Sequence, residues 1–210
     1  MPLTEIEITP FAGELPPNVA EYIEAAKIQI DHFHLQHRAA AVPAFVPSDF
    51  DLVYRVMRSV REGFVAPGNR YCEWGSGFGI VAGLASQLGF DAYGIEISAA
   101  LVHEAERLAN HFGIAVEFVC GSLVPPGGES MAAQTVEFAW LSAASDTAYD
   151  ELGLDATDFD IIFAYPWPGE EQAIFDLFDR FAAMGAVLIT YHGVQGIRVQ
   201  RKVAGKKRRR

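Results

Sequence analysis

The residues best suited to chemistry in this chain are the run Glu73-Trp74-Gly75-Ser76-Gly77-Phe78-Gly79 and a carboxylate seventeen positions beyond it, Glu96. Glycines at 75, 77 and 79 remove Cβ atoms where a backbone must turn sharply and approach a ligand closely. A helix starting directly behind them would begin with free N–H groups facing that ligand. Glu96, in Gly94-Ile95-Glu96-Ile97-Ser98, falls at the end of the next predicted strand, where a carboxylate can accept two hydrogen bonds from a ribose diol. The spacing is not the GxGxxG of a dinucleotide site, because the third glycine would fall at Ile80. Glu73, ahead of the first glycine, would repel a pyrophosphate and suits a ligand carrying an ammonium group.

An upstream acid, three alternating glycines and a second acid at the next strand end together resemble motif I of the class I S-adenosylmethionine-dependent methyltransferases. The resemblance covers about residues 45–192. It implies S-adenosylmethionine as cofactor, which has an ammonium, a sulfonium and no phosphate. Glu73, Gly75, Ser76, Gly77 and Gly79 would then form its cradle, Glu96 would take the ribose, and Ile97 would lie beside the adenine. The family's third strand often ends in an acid that contacts the adenine amine; here Cys120-Gly121-Ser122 offers Ser122. Phe45-Val46-Pro47-Ser48 resembles the Pro-Thr/Ser entry segment of short protein-lysine methyltransferases of the archaeal and mitochondrial type, which would put Pro47 and Ser48 over the methionine end of the cofactor.

Methyl transfer from a sulfonium is an in-line displacement that needs alignment more than acid–base power, although a charged amine acceptor must first lose a proton. The segment Ala164-Tyr165-Pro166-Trp167-Pro168-Gly169 is similar to the (D/N)PP(Y/W) element of amine methyltransferases, with Tyr165 where Asp or Asn would stand. Tyr165, Pro166 and Trp167 are therefore the candidate catalytic residues. The two aromatics would make part of a wall for a methylammonium group, at about 0.5–2 kcal/mol of cation–π attraction. The expected acceptor is a protein lysine or another cationic amine. A non-catalytic binding module that keeps the fold is the alternative, and an NAD-dependent oxidoreductase is disfavoured by Ile80. His192, just after the fifth central strand, reads as an ordinary strand-end residue rather than a base.

Charge supports a cationic partner. The formal net charge is −11, and between Arg107 and Arg180 the chain has 13 Asp and Glu but no Lys or Arg. A field of this sign repels nucleic acid. Residues 204–210, with the bases of Lys206 to Arg210, form a short basic tail expected to be disordered. His32, His34 and His37 share one predicted helix with Asp31 and read as a solvated face, so no metal site is expected. Cys72 and Cys120 lack CxxC spacing, the N-terminus has no apolar core of a signal peptide, and no apolar run is long enough to span a bilayer. A cytoplasmic location is the expectation.

These residues need elements to position them. Residues 1–44 read as an arm, with an alternating piece at Glu5-Ile6-Glu7-Ile8, followed by a cap helix from about Val19 to Ala40 with Asn18 at its start. Ser48-Asp49-Phe50-Asp51 resembles a capping box before a helix ending near Gly63. Strands are expected over 71–74, 92–97, 116–120, 160–165 and 186–191, with helices over 79–88, 98–112, 131–144 and 170–184 between them and a final edge strand over 197–203. Such alternation predicts an α/β, Rossmann-like doubly wound, mostly parallel sheet in one domain over 45–203, with an N-terminal helical cap.

Overall fold

The computed structural model describes residues 3–36, 45–132 and 148–204. In chain order the elements are β1 (Leu3–Glu5), α1 (Pro17–Gln36), α2 (Phe50–Glu62), β2 (Arg70–Trp74), α3 (Ile80–Gln87), β3 (Asp91–Glu96), α4 (Ala99–Phe112) and β4 (Val116–Cys120). They continue with α5 (Glu129–Ala132), α6 (Ala148–Leu152), β5 (Ile161–Ala164), α7 (Glu171–Phe181), β6 (Val187–Tyr191) and β7 (Ile197–Lys202). All seven strands join one sheet in the order β1-β7-β6-β5-β2-β3-β4. The five central strands are parallel, and β7 runs antiparallel to β6. The doubly wound sheet read from strand–helix alternation is the one observed.

The faces of the sheet divide the core. Residues Tyr71, Ile161, Phe163 and Ile189 point to one side, where they pack with buried residues of α1, α2, α3 and α4. Their chain neighbours Cys72, Ile162, Ala164 and Leu188 point to the other, against α6 and α7. Strands buried on both faces give the near-continuous apolar runs that marked them in the sequence. Cys72 lies in this core as expected, fully buried and unpaired.

The N-terminal arm departs from expectation. Leu3–Glu5 forms an antiparallel edge strand in register with β7, Leu3 opposite Lys202 and Glu5 opposite Gln200. Ile6 N–H extends the ladder to Val199 O at 2.8 Å. An open β7 edge would leave a row of unpaired donors and acceptors, and the arm covers it. Farther along, the arm is strapped to α2: the Arg55 guanidinium donates to Phe11 O at 3.0 Å, and that of Arg58 stacks 3.6 Å from the Phe11 ring centroid.

Two helix starts also shift. α1 begins at Pro17, where a missing N–H costs nothing because first-turn donors have no partner in the helix. Val19 and Ala20 both donate to Pro16 O. Asn18 is not the cap; its side-chain amide donates to Gln87 Oε1 at the end of α3. The cap of α2 is Asp49, whose Oδ1 accepts from Leu52 N–H at 3.1 Å, rather than Ser48. The part of the cap helix expected past Gln36, most of the helix expected over 131–144 and the basic tail from 205 lie outside the described residues. No described helix is long and apolar enough to cross a membrane.

Candidate active site

The winding direction reverses between β2 and β5. From β2 the chain moves outward through β3 and β4, then returns to β5 beside β2 and proceeds the other way to β6. Loops leaving two such strands diverge and open a crevice at their carboxyl ends. Here the β2 loop is the glycine run and the β5 loop is Tyr165 to Glu170. A cavity of about 560 Å³ fills the crevice. Glu73, Gly75, Ser76 and Gly77 line it from one side, Glu96 and Ile97 from the end of β3, and Tyr165, Pro166 and Trp167 from across the crevice. The segment before α2 adds Phe45, Val46 and Ser48.

Glu73 and Glu96 are the charged residues of this lining, and both are buried, at 5% and 8% exposure. Strand alternation puts Glu73 on the face that carries α3, opposite Phe163 of β5. Its Oε2 accepts the N–H of Ala82 at 2.8 Å, so it caps a helix whose own N-cap residue, Gly79, has no side chain to do so. Glu96 reaches toward the glycine loop, accepting Gly77 N–H at 2.9 Å on Oε2 and Ser98 N–H at 2.8 Å on Oε1. Burial pushes the Glu73 carboxyl well above the usual carboxylate range; the Ala82 N–H opposes this, and the charge of Glu96 adds to it. Burial also raises Glu96, against the pull of the Ser98, Gly77 and Ile97 amides. A cation placed between the two would favour their ionised forms.

The loop's own amides are engaged within the protein. Gly75 and Ser76 N–H groups donate to Ile95 O at 2.9 Å each, and Gly79 N–H donates to Ser76 O at 2.7 Å. With Gly77 given to Glu96 and Ala82 to Glu73, the free N–H groups expected from the sequence are not offered at these positions. That arrangement suits a ligand without phosphate. Ser76 Oγ is buried with no hydrogen-bond partner among the described residues.

The glycines serve packing as well as turning. All three have positive φ, at 72°, 52° and 66°. A Cβ on Gly77 would lie 2.5 Å from the ring of Phe45. One on Gly79 would run into the Phe118 ring and come 2.8 Å from Ala105 Cβ. Gly79 does not line the cavity; its missing side chain lets α3 approach β4 and α4. Ser122 also lies apart from the lining, buried, with Oγ accepting from Val124 N–H at 3.2 Å. Pro47 is exposed and outside the lining, while its neighbours Val46 and Ser48 are in it. The cap shift to Asp49 explains why the Ser48 hydroxyl is available there.

On the opposite wall, the Tyr165 ring meets Tyr191 edge-on at 4.8 Å, and burial together with Tyr191 pushes its hydroxyl upward, keeping it neutral. Trp167 is 36% exposed at the rim. His192 lies outside the lining, its Nε2 2.7 Å from Thr190 Oγ1, and burial lowers its pKa. His32 and His34 are exposed on α1, His37 is outside the described residues, and among those described no three His, Cys, Asp or Glu gather as a metal-binding group.

No family model and no curated protein sequence matches this chain. Solved structures do. An RNA methyltransferase from Salinibacter ruber, in complex with S-adenosyl-L-homocysteine, superposes with a TM-score of 0.52 at 19% identity, over 77% of this chain and 95% of that one. A methyltransferase from Geobacter sulfurreducens gives a TM-score of 0.52 at 14% identity, over 91% and 92%. The fold is that of the class I methyltransferases. Within that fold, sequence reasoning missed the apolar half of the cavity: Phe45, Phe50, Phe163 and Leu101 line it, and only Phe45 and Phe50, flanking the Pro-Ser turn, stood near a recognised motif. It also missed Glu170, whose burial behind Trp167 has no local signature beyond the Pro-Gly turn before it.

Proposed function

We propose that this protein transfers a methyl group from S-adenosylmethionine to an amine, a protein lysine or another cationic amine. One observation carries the reading: Glu96 faces the glycine loop, 2.9 Å from Gly77 N, across a single cavity whose far wall is Tyr165, Pro166 and Trp167. Two buried carboxyls, a buried hydroxyl without a partner and apolar surroundings match a phosphate-free, cationic nucleoside. In this reading Glu96 takes the ribose, Ile97 lies against the adenine, and Glu73 with Ser76 and Ser48 faces the amino-acid end, with Gly75 and Gly77 bordering it. The cofactor supplies an electrophilic methyl on its sulfonium.

What remains for the protein is alignment and the removal of one proton. Tyr165 is held neutral and offers a hydrogen-bonding oxygen, and Pro166 and Trp167 exclude water. Desolvation among them lowers an amine's pKa, so the amine gives its proton to bulk water as it enters and attacks as the neutral nucleophile. The acidic body draws cations and disfavours a nucleic-acid acceptor. Two unpaired cysteines suit a reducing, cytoplasmic setting.

Calorimetric titration with S-adenosylhomocysteine tests the cofactor half; absence of binding at millimolar ligand overturns it. Label transfer from methyl-tritiated S-adenosylmethionine to a pool of lysine-containing peptides tests the other half. Binding without any transfer or S-adenosylhomocysteine product would assign the chain to the non-catalytic class instead.

A further inference from the structure

We propose that Glu170 is a positioning residue that fixes the Trp167 indole at the acceptor-side wall of the cavity; the identity of that wall rests on the function proposed above. Glu170 sits just ahead of α7 and is completely buried, at 0% exposure, unusual for a glutamate. Its N–H donates to Trp167 O at 3.0 Å, and its Oε2 accepts Trp167 N–H at 3.0 Å. A single residue therefore holds both backbone polar groups of Trp167. Between them run Pro168 and Gly169, the latter at φ 98°, the proline-then-glycine order of a type II turn. Proline fixes its own φ and glycine alone takes a positive φ at no cost, so the span is short and stiff.

The clamp continues into a rigid element. Glu170 O accepts Ile174 N–H at 3.1 Å, and Ala173, Ile174, Leu177 and Phe178 bury α7 against the sheet. A tryptophan left 36% exposed is not oriented by burial alone. The backbone from which its ring projects is the one that Glu170 ties to α7.

The test compares Glu170→Ala, Glu170→Asp and Glu170→Gln, each checked for folding by circular dichroism. Glutamine keeps an oxygen that can accept Trp167 N–H; aspartate is one methylene too short; alanine has no acceptor. Amide exchange at Trp167 should accelerate at least tenfold in Glu170→Ala and Glu170→Asp and return toward wild type in Glu170→Gln. The same two variants should raise KM for lysine-containing peptides at least fivefold, with S-adenosylhomocysteine affinity within twofold of wild type. Should Glu170→Ala fail to fold, Glu170→Asp carries the comparison. Unchanged Trp167 exchange, or a loss of cofactor affinity in step with the rise in KM, overturns the proposal. If wild-type protein transfers no methyl to the peptides, the amine reading fails, while the exchange comparison still decides whether Glu170 holds Trp167.

Discussion

Replacing Glu96 by glutamine keeps the volume of the side chain and removes its charge and one acceptor. Both oxygens are in use: Oε2 accepts Gly77 N–H at 2.9 Å and Oε1 accepts Ser98 N–H at 2.8 Å. A carboxamide has one oxygen for two N–H donors, so its NH2 must face either Gly77 or Ser98. The oxygen has no hydrogens to lend and the amide nitrogen no lone pair to give, hence one backbone donor loses its partner. Hydrogen bonds to charged groups contribute about 1.5–3 kcal/mol. Losing one of the bonds that a ribose diol would make to Glu96 therefore predicts a fall in S-adenosylhomocysteine affinity of about 10- to 150-fold. Isothermal titration calorimetry at pH 7 measures it, with thermal unfolding recorded in parallel to confirm that the variant is folded at the titration temperature. Affinity within twofold of wild type would refute the placement of the ribose at Glu96, and with it the argument that the cavity is a nucleoside site.

Three further outcomes follow from the geometry. Gly79→Ala should destabilise the fold by about 2–4 kcal/mol, from a positive φ and a Cβ pressed on Phe118 and Ala105, lowering Tm by roughly 5–15 °C; a melt unchanged within 2 °C, to the order of that conversion, would contradict the packing role. Asp49→Ala should cost about 1 kcal/mol of stability and Ser48→Ala far less, because Asp49 makes the cap, and urea unfolding of the two variants separates them. Glu73 has a folded-state pKa above its unfolded value, so the folded state binds more protons between the two and stability falls as pH rises through that window. Glu73→Gln should flatten this decline in a pH series of melts, and binding of a cationic ligand to the wild type should release protons, visible as calorimetric heats that depend on the buffer's ionisation enthalpy.

The central sheet was readable because its information is local. Four β-region runs with apolar residues on both faces, each followed by a helix with a glycine or serine at its boundary, place strands to within a residue, and Val116–Cys120 matches end to end. The glycine loop and Glu96 were readable for the same reason: a spacing along the chain becomes a spacing across two neighbouring strands. What escaped depends on partners remote in sequence. Leu3–Glu5 has no strand pattern of its own and takes its state from β7. Gly79 looked like part of a ligand cradle because a glycine's sequence context cannot tell whether the space it leaves is filled by a ligand or by Phe118. Ser122 turned into its own loop, which no spacing could reveal. Phe45 stands beside the Pro47-Ser48 segment in the sequence, but its packing on Gly77 and edge-on to Phe78 at 4.8 Å joins residues more than thirty positions apart and has no local signal.

The pairing of Leu3 with Lys202 has a consequence for how the molecule is made. β1 precedes β7 by almost two hundred residues along the chain, so it can find its place only after β7 has emerged. Until then β6 offers a bare rim, and the arm ahead of α1 has only the flank of α2, where Arg55 and Arg58 hold Phe11. Closure of this edge of the sheet is thereby tied to synthesis of β7: a nascent chain halted before residue 197 has a finished glycine loop and β5 loop but an unzipped border. Protease sensitivity of residues 3–15 should mark that moment, disappearing when the closing strand docks.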